Sequence, residues 1–309
     1  MVDVYERVTA SIMGSLDSGT VPWRQSWNMA RAQNIYGHRN AATGRAYTGI
    51  NPLLLMTTAT DRGYRDPYWL TYKQAQACGG GTVRRGEHGT SITFAHRFTR
   101  EVERETEDGA TETKTRSYFG LREYTVFNVA QCTGLTLPAA TLAGLAAPGT
   151  VRAEPEILES CERIIANMPN APVVQDGRRA CYSPRRDVVE MPPAELFDTP
   201  QDRYAVLYHE LTHSTGHSSR LDRGLDAQDR LAPFGSAEYS AEELVAEMGA
   251  AYLCAHAEID TAPLLGQSAA YIAGWLRALA DDRRLLVSAC SKAFRAAEYI
   301  LGHQPEPAV

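Results

Sequence analysis

His209, Glu210 and His213 stand in the order HExxH within Tyr208-His209-Glu210-Leu211-Thr212-His213. On a helix the two histidines lie one turn apart on the same face, so both imidazoles reach a single ion. Glu210 projects beside them, close enough to act as the catalytic base toward a metal-bound water. Zn2+ is the expected ion, because two neutral imidazoles and a carboxylate suit it and hydrolysis needs no change of oxidation state. Such a site takes three protein ligands and keeps a fourth position for water. The third ligand has to come from another part of the chain.

Position 219 is Ser219, which excludes the metzincin arrangement with a third histidine there. A better source is Glu242-Glu243-Leu244-Val245-Ala246-Glu247. Its Glu243-xxx-Glu247 spacing resembles the gluzincin pattern, in which the first acid ligates zinc and the second stands behind a ligand histidine. Glu243 is therefore taken as the third ligand, with Glu242 and Glu247 as alternatives. His217, just after Gly216, is a further candidate ligand. His217 and Tyr239 are the candidate donors for an oxyanion. The chemistry implied is attack on the amide of a protein or peptide substrate, and the short strand expected at 188–191 offers an edge on which an extended peptide can pair.

These groups need a frame. Helical periodicity marks 202–215, 241–255, 268–279 and 282–301, preceded by a helix starting near Glu154 and by short strands at 180–183 and 188–191. The second domain, 154–309, is thus mainly helical with a small sheet. Residues 137–153 read as a linker, broken by Pro138, Gly144 and Pro148. In 1–136, helices are expected at 3–16, within 47–60, and from an N-cap at Thr71 to the Gly79-Gly80-Gly81 run. The alternation Ile92, Phe94, His96, Phe98 and the aromatic and β-branched stretch 118–129 predict strands, joined by a hairpin turn at Asp108-Gly109. The fold class is α+β.

Composition is that of an ordinary globular protein of 309 residues, 44% hydrophobic and 22% charged. Six scattered cysteines without a CxxC pair suit reduced thiols, so the expected location is cytoplasmic. Asp3 and Glu6 argue against a signal peptide, and no apolar run approaches the ~20 residues needed to span a bilayer, so no membrane partner is expected. Charge is unevenly spread. Residues 1–100 hold 12 Lys and Arg against 6 Asp and Glu, whereas 138–309 hold 15 against 24. A polyanion would bind the front. There, aromatic and basic residues interleave at Trp23-Arg24, Arg45-Ala46-Tyr47, Trp69, Lys73 and Arg84-Arg85. Single-stranded nucleic acid is held by such sets, with bases on aromatic faces and phosphates against cations.

The segment 23–34, then Gly44-Arg45-Ala46-Tyr47-Thr48-Gly49-Ile50-Asn51, Trp69-Leu70-Thr71-Tyr72-Lys73-Gln74-Ala75 and Gly80-Gly81-Thr82-Val83-Arg84-Arg85-Gly86-Glu87-His88-Gly89-Thr90, resembles the start of ArdC-type antirestriction proteins. Tyr208 to His217, Arg220-Leu221-Asp222-Arg223, Tyr239 to Glu247, Tyr271-Ile272 and Trp275 resemble that family's zincin-like part. The resemblance implies a single-stranded DNA-binding domain joined to a metallopeptidase domain, in a protein of conjugative plasmids and phages that protects incoming DNA from host restriction. The alternatives are a cytosolic zinc protease with no DNA role, and a DNA-shielding protein whose zinc is purely structural.

Overall fold

The computed structural model describes residues 4–19, 21–23, 34–105, 111–146, 153–227, 236–259 and 269–303. Helix α1 (Val4–Asp17) buries Val8, Ile12 and Leu16, one turn apart, on a single face. Helix α2 (Asn51–Arg62) starts with Pro52 in its first turn and ends at Gly63, whose φ of 67° is the left-handed cap a glycine adopts most readily. Strands β1 (Arg39–Asn40) and β2 (Tyr68–Thr71) are parallel. Thr71 and Gln74 then form a capping box that opens α3 (Tyr72–Ala77).

Beyond β3 (Thr82–Val83), strands β4 (Thr90–Glu105) and β5 (Thr111–Asn128) pair antiparallel along their length, from Thr90 opposite Val126 to Glu105 opposite Thr111. The Asp108-Gly109 turn lies outside the described residues. The sheet order is β1-β2-β5-β4, which leaves β4 at an edge. Asn51 covers part of that edge, since its side chain both donates to Thr93 O and accepts from Thr93 N–H, each at 2.8 Å. Strand β6 (Cys132–Thr133) pairs with β3. The segment expected as a linker contains a helix, α4 (Ala139–Ala146), whose Thr141 hydroxyl donates to Ala41 O at 2.9 Å. Its alanines and leucines have helical propensity that the flanking prolines obscured.

Next come α5 (Glu154–Asn167), β7 (Val173–Asp176), β8 (Cys181–Ser183), β9 (Val188–Met191), α6 (Pro200–Ser214), α7 (Ala237–Ala257), α8 (Ala269–Asp281) and α9 (Leu285–Ile300). The second sheet has the order β7-β9-β8. Strand β9 is therefore central and paired on both sides, so residues 188–191 cannot receive a peptide by edge pairing. The expectation failed because the parallel pairing of β7 with β9 is a contact between segments that local sequence does not record.

One apolar core runs through both halves of the chain. Ile12, Trp23, Ile35 and Leu53 share it with Leu207, Tyr208, Leu244, Tyr252, Trp275 and Leu286. Trp23 meets Trp275 edge-on with centroids 5.5 Å apart. Tyr252 donates its hydroxyl to Gly49 O, and Asn34 donates its side-chain amide to Ala255 O, both at 2.9 Å. A smaller cluster of Tyr47, Leu55, Ala59, Trp69, Ile92 and Val126 packs between α2 and the first sheet. All six cysteines are free thiols.

Candidate metal centre

Thr199 and Asp202 cap the start of α6 reciprocally, and the helix runs unbroken through the HExxH segment to Ser214. Tyr204, Leu207, Tyr208 and Leu211 anchor it in the core. Helix α7 crosses it closely at Gly249, where an added Cβ would lie 2.4 Å from Thr212 Cγ2. That approach brings the acids of α7 to the histidines of α6.

His209 Nε2 and His213 Nε2 are 3.2 Å apart. Glu243 Oε2 is 3.4 Å from the first, and Glu243 Oε1 is 3.6 Å from the second. Ligand atoms about 2.0–2.1 Å from a tetrahedral ion stand about 3.3 Å from one another, so the three side chains are spaced to hold one divalent cation. They form the one metal-sized cluster of His, Cys, Asp or Glu among the described residues. His213 and Glu243 are buried, while the His209 side chain is 19% exposed and marks the open side.

The outer ring fixes the imidazoles. Glu242 Oε1 lies 3.2 Å from His213 Nδ1, and Glu247 Oε1 lies 3.8 Å from His209 Nδ1. Each carboxylate stands behind a histidine, which directs Nε2 toward the ion. Glu242, one of the alternative ligands, stands behind His213 and is not part of the metal-sized cluster. Arg223 holds Glu242 through Nε and Nη2, and its Nη1 donates to the Thr215 hydroxyl at 2.7 Å. Burial alone would lower the His213 imidazole, but Glu242 and Glu243 outweigh it and push it up to about 10. Burial opposes the ionised Glu243 too, and the two imidazoles overcome it and hold that carboxyl far below its usual range. Ionised carboxylates facing both imidazoles make the pocket favourable to positive charge.

Glu210 is buried, and its Oε2 accepts from the backbone N–H of Tyr182 in β8 at 2.7 Å. The Tyr182 hydroxyl donates to Asp187, and Asp187 also receives both terminal nitrogens of Arg220 at 2.8 Å. His217 turns to Ser219, with Nδ1 2.8 Å from its Oγ, and is not part of the metal-sized cluster. Tyr239 stands in the first turn of α7, one turn before Glu243. Arg223, Arg220 and Asp187 have no spacing relative to HExxH that would reveal their place in the site.

Residues 159–292 match the family model for zincin-like metallopeptidases, and residues 2–127 match the model for the N-terminal domain of the antirestriction factor ArdC. The crystal structure of metal-free antirestriction ArdC protein from plasmid R388 superposes with a TM-score of 0.69 at 36% identity, covering 98% of this chain and all of that one. Its Mn(II)-bound form gives 0.68 at 35% identity, over 97% of each chain. This chain belongs to the ArdC-type antirestriction family. Another relative is the uncharacterised protein y4eC of Sinorhizobium fredii, 34% identical over 98% of this chain and 93% of that protein. DNA primase TraC of Escherichia coli is 32% identical over 97% of this chain, which spans only 27% of the primase. No helix among the described residues is long and apolar enough to cross a membrane.

The aromatic residues expected to stack bases in this ArdC-type chain are elsewhere. Trp23, Tyr47 and Trp69 are buried, and Trp69 Nε1 donates to His38 Nδ1 at 3.0 Å. They offer no face to a base. Large aromatics that sequence alone assigns to a binding surface are core residues more often. Arg45, Lys73, Arg84 and Arg85 are exposed, with Arg84 paired to Glu87 at 2.6 Å. Arg24 lies outside the described residues.

Proposed function

We propose that this ArdC-type protein binds single-stranded DNA through its N-terminal half, protects incoming DNA of mobile elements from host restriction, and carries a zinc centre of metallopeptidase type. The observation that supports the centre best is the convergence of His209 Nε2 and His213 Nε2, 3.2 Å apart, on the Glu243 carboxylate, whose oxygens lie 3.4 and 3.6 Å from them. Neutral imidazoles and a carboxylate favour zinc, although the donor set also accepts manganese.

Zinc, when bound, supplies Lewis acidity to a water and to an amide carbonyl. The chain supplies the rest. Glu242 and Glu247 hold the two imidazoles in the orientation that presents Nε2. Glu210 is fixed through Oε2 by the Tyr182 N–H, which leaves Oε1 to accept a proton. Tyr239 shares the face of α7 that carries Glu243, because the two are four residues apart, and it is the donor candidate for the oxyanion. The basic front of the chain supports DNA as its partner.

Three measurements on one preparation test the proposal: metal content without added ions, affinity for an oligothymidylate over a range of salt, and survival of a transferred plasmid in a restricting host. We expect one zinc per chain, binding that weakens steeply with salt, and protection. Absent zinc, or DNA affinity independent of salt, would overturn the corresponding part.

A further inference from the structure

Phe94 and Tyr124 lie on one face of the β4–β5 ribbon with ring centroids 5.7 Å apart, edge to face. The register sets this face. Thr90 is opposite Val126, Ile92 opposite Tyr124 and Phe94 opposite Arg122, so these side chains share a side. Along that side burial stops abruptly. Ile92 and Val126 are 1% and 0% exposed within the cluster under α2, whereas Phe94 and Tyr124, the next positions outward, are 40% and 37% exposed. The apolar face therefore continues past its helical cover. Arg122 stands with its guanidinium 5.4 Å from the Tyr124 ring centroid, within cation–π range.

We propose that the exposed Phe94, Tyr124 and Arg122 face of this ribbon is the platform on which unpaired bases of single-stranded nucleic acid stack. The inference rests on the DNA-binding reading above and gives it a location. Phe94, Tyr124 and Tyr72 are strongly exposed aromatics, and all three belong to this half of the chain. Tyr72, followed by exposed Lys73, begins α3 where Thr71 leaves its pairing with Val126. An apolar protein partner would have to strip water from the Arg122 guanidinium, at a cost. A nucleotide brings a flat ring for the aromatic faces and a phosphate for the cation, so it satisfies both. Trp23 and Trp69 are ruled out by burial, and the ribbon supplies the stacking faces they cannot.

The test uses the full chain and a fluorescein-labelled oligothymidylate at low salt. Phe94→Ala and Tyr124→Ala should each weaken binding about tenfold, and together about a hundredfold. Tyr124→Phe, which keeps the ring, should stay within about twofold of the parent. In the parent, photocrosslinks from 5-iodouracil oligonucleotides should map to Phe94 or Tyr124. Parent-like affinity in the double variant, or crosslinks confined to other segments, overturns the platform while leaving the DNA reading intact. Failure of the parent to bind the oligonucleotide at all overturns the DNA reading and the platform with it.

Discussion

The backbone N–H of Tyr182 donates to Glu210 Oε2 at 2.7 Å, which ties the edge strand of the small sheet to the helix carrying both histidines. Glutamine at 210 keeps an oxygen for that N–H and loses the basic carboxylate. Glu210→Gln should therefore fold, hold its metal and bind DNA like the parent, while any peptide hydrolysis falls by ~10²–10⁴. Metal analysis and a transfer assay into a restricting host check this. Protection should persist at least in part. Its complete loss, with metal and DNA binding intact, would make proteolysis the effector.

Glu243 and Glu242 are neighbours in sequence with different work. With Glu243 as the proposed third ligand, Glu243→Ala should empty the site in metal analysis of the purified protein. Glu242→Ala removes the carboxylate behind His213 and frees Arg223, which should cost about 10- to 100-fold in metal affinity and leave the site fillable at higher concentration. The opposite order would move the ligand by one residue.

The Arg220 side chain is buried and makes a bidentate pair with Asp187, which sits at a φ of 51° in the β8–β9 turn. Arg220→Ala leaves Asp187, itself 31% exposed, to water and the Tyr182 hydroxyl, and removes donors from Asn170 O and Ser214 O. It should destabilise by about 1–3 kcal/mol, and Arg220→Lys by nearly as much because the fork geometry is lost. Urea unfolding measures it. A change below about 0.5 kcal/mol would show that the pair does not hold the turn.

His38 is buried, and burial lowers its imidazole to about 3. Unfolded, it titrates near ~6.5. Between those values the unfolded chain binds the extra proton, so the stability that neutral His38 contributes is full above about pH 6.5 and declines as pH falls toward 3. Protonation would also disrupt the bond from Trp69 Nε1. Urea midpoints of the parent and of His38→Gln should converge as pH drops from 7 to 4, and parallel curves would count against this account.

The site was legible where chemistry imposes local spacing. HExxH requires one helical turn between ligands, and Glu243 through Glu247 requires another, so both could be read from the sequence. Arg223 and the Asp187–Arg220 pair were not legible, because nothing in local periodicity records a contact made across the fold. The same limit misplaced the stacking residues. Trp69 beside Lys73 and Phe94 within an alternating strand look alike as letters, and only packing puts one at 0% exposure and the other at 40%. Strand β9 was recognised from its Val188 and Val189, yet its central position depended on β7, whose pairing with β9 no local pattern records.

The shared core has a bearing on any attempt to dissect this chain. Trp23 rests on Trp275, and Gly49 receives the hydroxyl of Tyr252, so the front half finishes its own interior with side chains from the back. A fragment cut after residue 137 would turn Trp23, Ile35 and Leu53 out to water, and its insolubility would say nothing about DNA. Point substitutions in the intact chain, rather than truncations, are the instrument that can assign activities to either half.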